Sequence, residues 1–132
     1  MQNMFTVEQI QTAHAKVKSG ADFPAYIKEI KALGVTHYEA YVADGHINYH
    51  GRNDYTVKVP AKYKAMLINH DLKEEEFKAQ LLAHQQGKTD YLTFIRMCAD
   101  TGIEHWKINI SNMTCSYYNL AGEEVLTEHI PQ

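Results

Sequence analysis

Three of the eight histidines in this 132-residue chain fall in one short alternating stretch beside a carboxylate. In THYEAYVADGHINYH (36–50) the positions flanking Asp44-Gly45 alternate strictly in character. Asp-Gly between such runs is the strongest short signal for a β-hairpin. A two-residue turn there predicts Ala43 opposite His46, Tyr41 opposite Asn48 and Glu39 opposite His50, with facing Cβ atoms about 5 Å apart. One face would then carry Tyr38, Ala40, Val42, Ile47 and Tyr49, a core surface. The other would carry His37, Glu39, Tyr41, His46, Asn48 and His50. A slip of one residue would bury the histidines, so the facing is strongly specified.

Two imidazoles and a carboxylate at that spacing, His37, Glu39 and His50, suit zinc or another transition metal with positions left open. They also suit an acid–base pair near neutral pH. The plainer expectation is a solvated strand face on which Glu and His pair across strands. The candidate ligand or partner face is therefore His37, Glu39, Tyr41, His46, Asn48 and His50, joined by His105. Metal ligation is confined to His37, Glu39 and His50. No catalytic residue is assigned and no cofactor is implied. The chain has no phosphate loop, dinucleotide glycine fingerprint, CxxC or HExxH.

The elements that must hold these residues read clearly on either side. Thr6 with Gln9 forms a capping box for a helix running to Lys18, ended by Ser19-Gly20, with Phe5 set to staple against Ile10. Asp22 caps a second helix with Pro24 in its first turn, a stripe of Tyr26, Ile27, Ile30 and Leu33, and a stop at Gly34. Tyr55 to Val59 reads as a third strand ending at Pro60. Residues 61–70 fit either a short helix or an extended connection. Asp71 with Glu74 suggests a capping box for a helix through Phe77, Leu81 and Leu82 to Gly87. Asp90 caps another helix, from Tyr91 to Ala99 with a stop at Gly102. His105 to Ser111, Thr114 to Tyr118 and Val125 to Ile130 then read as strands.

This order repeats. Shifted by 68, Asp22 meets Asp90, Ile27 meets Ile95, Gly34 meets Gly102, His37 meets His105 and Tyr49 meets Tyr117. Under the same shift Glu39 becomes Lys107 and His50 becomes Tyr118, so the candidate triad does not recur. The fold expected is α+β: a two-layer sandwich of an internally duplicated helix-helix-β-meander unit with pseudo-two-fold symmetry. One domain spans 1–132, with repeats at about 5–60 and 71–131. Whether the two hairpins share a sheet is left open. His37 and His105, each just after a helix stop, could also close that corner by bonding its backbone.

Cys98 and Cys115 take the positions of Ile30 and Ile47, so both are expected as small buried residues and not as nucleophiles. Met113 is a poor residue for a tight turn, and a longer loop there would change the facing of Cys115. Lys73 to Lys78 reads as a solvated helix face with acids early, as the helix dipole favours. A net charge of −3 without a basic cluster disfavours nucleic acid as a partner. No apolar run reaches the length of a membrane span, and the N-terminus lacks a signal peptide's pattern. A cytoplasmic location follows, with free thiols.

The run DFPAYIKEIKALGVTHYEAYVADGHINYHG, then LLAHQQGKTDYLTFIRMCADTGIEHWKINISNMTCSYYNLAG and the terminal EHIP, resembles the YdfO-like bacterial family over nearly the whole chain. Some members of that family lie in prophage regions and carry the label phage envelope protein. The resemblance implies a compact two-layer α/β domain in a small cytosolic bacterial protein, and brings no established catalytic residues. The function expected is a non-enzymatic domain that binds a protein partner through the polar sheet face, or that acts by dimerising. A metal- or small-ligand-binding enzyme centred on His37, Glu39 and His50 is the alternative. A prophage-associated regulator touching nucleic acid is the third reading.

Overall fold

The computed structural model describes residues 5–17 and 22–130. They form, in chain order, α1 (Val7–His14), α2 (Phe23–Leu33), β1 (His37–Tyr41), β2 (Ile47–His50), β3 (Thr56–Val59), α3 (Glu74–Gln85), α4 (Tyr91–Thr101), β4 (Ile103–Asn109), β5 (Thr114–Asn119) and β6 (Glu124–His129). The strands make one antiparallel sheet in the order β3-β2-β1-β4-β5-β6. Both hairpins therefore share a sheet, joined through β1 and β4. The fold is α+β: four helices and a six-stranded sheet among the described residues.

Local chemistry sets most of the boundaries. At α1 the Thr6 hydroxyl accepts from the Gln9 N–H while the Gln9 side chain accepts from the Thr6 N–H, the reciprocal capping box. The helix stops at His14, four residues before the expected end, and the expected Ser19-Gly20 stop lies outside the described residues. At α4 the Asp90 carboxylate accepts from the Thr93 N–H at 2.8 Å. Asp22 holds the equivalent place at α2 without a side-chain cap bond. Asp71 does not cap α3, which starts at Glu74 with Lys73 at its N-cap. Asn69 and Lys73 instead donate backbone hydrogen bonds to Ala99 and Thr101 of α4, which fixes the approach to α3 two residues later than the motif suggested.

Burial follows the alternation. Tyr38, Ala40, Val42, Ile47 and Tyr49 are all buried, as are Trp106, Ile108, Cys115 and Tyr117. They form one cluster with Ile10, Tyr26, Ile27 and Ile30 of the first helices and with Phe77, Leu81, Phe94 and Ile95 of the later ones. Leu82 is the exception in its helix, at 55% exposed, because only the Phe77–Leu81 side of α3 meets the core.

The first hairpin's register corrects the two-residue turn. His37 faces His50, Tyr38 faces Tyr49 and Glu39 faces Asn48, with Tyr41 closing onto His46, so Val42–Gly45 forms a four-residue loop. The shift from the expected pairing is two residues, which preserves both faces. Its cause is tertiary. Residues 61–70 are an extended connection laid across the loop: Lys62 and Met66 donate backbone hydrogen bonds to Asp44 and Ala43, and the Tyr63 hydroxyl donates to the Val42 carbonyl at 2.6 Å. Gly45, at φ +80°, lies so close beneath the Tyr63 ring that a Cβ would come within 2.6 Å of it. The second hairpin does the same. Asn109 faces Thr114 across Ile110–Met113, with Met113 at φ 53°, and Cys115 keeps its inward facing.

Candidate functional site

The open face of the sheet places the expected residues in two groups. In the first, His37 and His50 stand directly opposite, their rings stacked with centroids 4.4 Å apart and 8° between planes. Glu39 is not opposite His50, as the shorter turn would have required, but one diagonal away. It still reaches: Glu39 Oε1 lies 3.0 Å from His50 Nε2. One ligand atom from each of His37, Glu39 and His50 falls within 4.8 Å of the others. The remaining ring nitrogens are held by hydroxyls, His37 Nδ1 by Thr36 at 3.0 Å and His50 Nδ1 by Thr56 at 3.3 Å. Burial, helped by the neighbouring His50 and Lys107, holds His37 below the ordinary imidazole value against the pull of Glu39.

The second group is a stack of rings running from the end of the first hairpin's loop across β1, β4 and β5. His46 stacks on Tyr41 at 4.3 Å, Tyr41 on His105 at 5.2 Å, and His105 on Tyr118 at 4.7 Å, with interplanar angles of 7°, 26° and 9°. Each imidazole in the stack is gripped by a carboxylate near its own loop or strand, His46 Nδ1 by Asp44 at 2.6 Å and His105 Nδ1 by Glu104 at 2.5 Å. Asp44 also accepts from the His46 N–H, and that bond holds its carboxyl below the usual range. Asn48 lies between the groups, opposite Glu39 on one side and Lys58 on the other. Neither His37 nor His105 closes its corner through the backbone; their Nδ1 atoms meet the side chains of Thr36 and Glu104.

On the inner face, sequence reasoning saw only core. The helices pack as pairs, α1 with α2 and α3 with α4. Between the pairs, over the sheet, is a cavity of about 370 Å³. Eight aromatic side chains line it, among them Tyr26, Tyr49, Tyr91 and Trp106. His14 sets its ring edge-on to both Tyr26 and Tyr91, and His84 stacks on Phe94 at 4.2 Å. Burial lowers both imidazoles, which favours their neutral form. Deep in this layer the Tyr26 and Tyr49 hydroxyls pair at 2.9 Å. Cys115 also lines the cavity, with burial pushing its thiol up to about 12, so it is no nucleophile. The missed signal was the type of the core residues: tyrosine in a buried stripe brings a hydroxyl that needs a partner or a polar space.

The family described as Protein of unknown function (DUF1398) matches residues 11–129, and the chain belongs to it. No curated protein matches the sequence. The family covers both halves of the sheet and every residue of the two outer-face groups. Among the described residues no helix is long and apolar enough to cross a membrane.

Proposed function

We propose that this protein is a non-enzymatic binding domain that acts through the open face of its sheet, and that His37, Glu39 and His50 seat one divalent transition metal there. The observation that carries the reading is the convergence of their three ligand atoms within 4.8 Å. The hydroxyls on both Nδ1 atoms support it, because a bond at one ring nitrogen fixes the direction of the other. A metal would take the place of the hydrogen bond between His50 Nε2 and Glu39 Oε1. Three protein ligands leave at least one coordination position open, which a side chain of a protein partner or a second copy of this chain can fill.

The same proposal takes 1–132 as one domain grown from two copies of a helix-helix-meander unit. Strand pairing supports this. His37–His50, moved 68 residues along both strands, becomes His105–Tyr118, and Tyr38–Tyr49 becomes Trp106–Tyr117. It also places the domain in the cytoplasm, where the free, buried Cys98 and Cys115 stay reduced. The YdfO-like resemblance, with its prophage setting, enters as a context in which a small partner-binding module would work. With a net charge of −3, nucleic acid is not the partner proposed.

Thermal melts with and without zinc, nickel and manganese test the site, on untagged wild type and on His50→Ala. At a hundred times its dissociation constant a bound metal adds about 2.7 kcal/mol. That shift is expected in the wild type and absent in the variant. Wild-type melts unmoved by all three metals would overturn the proposal.

A further inference from the structure

The cavity on the opposite side of the sheet has a different character from the outer face. We infer that it is a binding site for one flat, aromatic organic cation, entered between the two helix pairs. At about 370 Å³ it is within the size range of small-molecule sites. Its walls are built symmetrically from residues 68 apart: Tyr26 and Phe94, Tyr38 and Trp106, Tyr49 and Tyr117. These are rings on facing helices and on the central strands, so a planar molecule meets aromatic faces on several sides.

Charge decides the class. Aromatic faces carry the negative lobe of the ring quadrupole and attract cations. The carboxylates among the described lining residues are Asp90 and Glu128, and neither Lys nor Arg occurs among them. Asp90 is exposed, bonded to the Thr93 N–H and within the field of Arg96, and Lys62 acts on His14 from outside the lining. Among the described residues Glu128 is therefore the carboxylate that faces the ligand without a cation of its own. Glu128 is partly buried and takes a hydrogen bond from Gln85 at 2.9 Å, which holds the carboxylate in place. An organic anion would meet two carboxylates and a ring-lined wall. A neutral arene would gain the apolar contact and lose the charge. A cation gains both.

The protein carries its own reporter, because its single tryptophan, Trp106, lines the cavity. Three tricyclic probes of matched shape separate the possibilities: N-methylacridinium, anthracene-9-methanol and acridine-9-carboxylate. The cation is expected to quench Trp106 saturably at one per chain, with affinity about tenfold or more above that of the carboxylate. Glu128→Gln, which keeps the shape and the contact with Gln85, should lower the cation's affinity toward that of the neutral probe, the aromatic faces retaining part of the preference. His50→Ala, on the other face of the sheet, should leave binding unchanged, so this result stands apart from the metal proposal. Absence of saturable quenching by the cation, equal affinity for cation and carboxylate, or a Glu128→Gln protein that binds as wild type would each overturn the inference. Cooperative melting of Glu128→Gln guards against misreading an unfolded variant.

Discussion

The two halves of this sheet agree on one face and differ on the other. Inward, positions 68 apart carry Tyr38 and Trp106, Ile47 and Cys115, Tyr49 and Tyr117, every one buried. Outward, His37 and His105 match, but Glu39 stands where the second half has Lys107, and His50 where it has Tyr118. The inner positions share the task of filling space between layers, and any large ring or apolar group of suitable shape does so. The outer positions face water and are free to differ, so the difference there carries the chemistry. Geometry supplies one cause directly. Glu39 pairs across β1 and β4 with Lys107, its own counterpart 68 residues on. A carboxylate in both places would set like charges face to face, which strand pairs resist. The sheet can hold a metal-free His-Glu-His group in one half far more easily than in both.

Breaking the inner agreement should have the largest effect. Ile27 and Ile95 occupy equivalent places in α2 and α4, and both are fully buried. Ile27→Ala and Ile95→Ala should each cost about 2–5 kcal/mol in urea denaturation. Similar losses would mean that the halves pack alike, whereas a large inequality would assign the core chiefly to one of them.

A sharper test builds the missing group. Lys107→Glu together with Tyr118→His places carboxylate and imidazole beside His105, in the register that His37 and His50 already use. Without metal the double variant should melt below wild type, because the introduced carboxylate faces Glu39 across the strand pair. With zinc it should bind a second ion by titration calorimetry, each filled site adding about 2.7 kcal/mol at a hundred times its dissociation constant. A stoichiometry that stays at one would show that equivalent backbone positions do not suffice, and that the threonine contacts of the first half matter as well.

The smallest expected effect is a pH slope from the inner face. His14 and His84, one in each half, are held below the ordinary imidazole value of 6.5, chiefly by burial. Their folded-state values lie below those of the unfolded chain, so the unfolded state takes up protons first as pH falls. Their stabilising contribution is complete above the unfolded value and is lost as pH drops below it. Melting temperature should therefore fall between about pH 7 and pH 5, and less steeply in His14→Gln or His84→Gln. His37 adds to the same slope from the outer face. Equal slopes in wild type and both variants would remove the inner histidines from the account.

Much of this was legible in the amino-acid sequence because it rests on local rules. Strand alternation put His37, His46 and His50 outward with Tyr41, and Tyr38 and Tyr49 inward, and that assignment survived a two-residue error in the first hairpin's turn, since a shift of two keeps every side chain on its face. Thr6 with Gln9, Asp90, and the left-handed glycines 34 and 102 marked helix ends through bonds made within a few residues. The placement of His37, Glu39 and His50 on one face was equally local.

Tertiary structure decided what depends on distant chain. The turn at Asp44-Gly45 has four residues because Tyr63 and its neighbours bind across it from outside the hairpin. The rings of His46, Tyr41, His105 and Tyr118 form one stack because β1 pairs with β4, a partnership between segments more than sixty residues apart. The cavity is the furthest from the sequence. It is the space left where two helix pairs meet one sheet, set by the spacing of whole elements, and no residue type encodes a space.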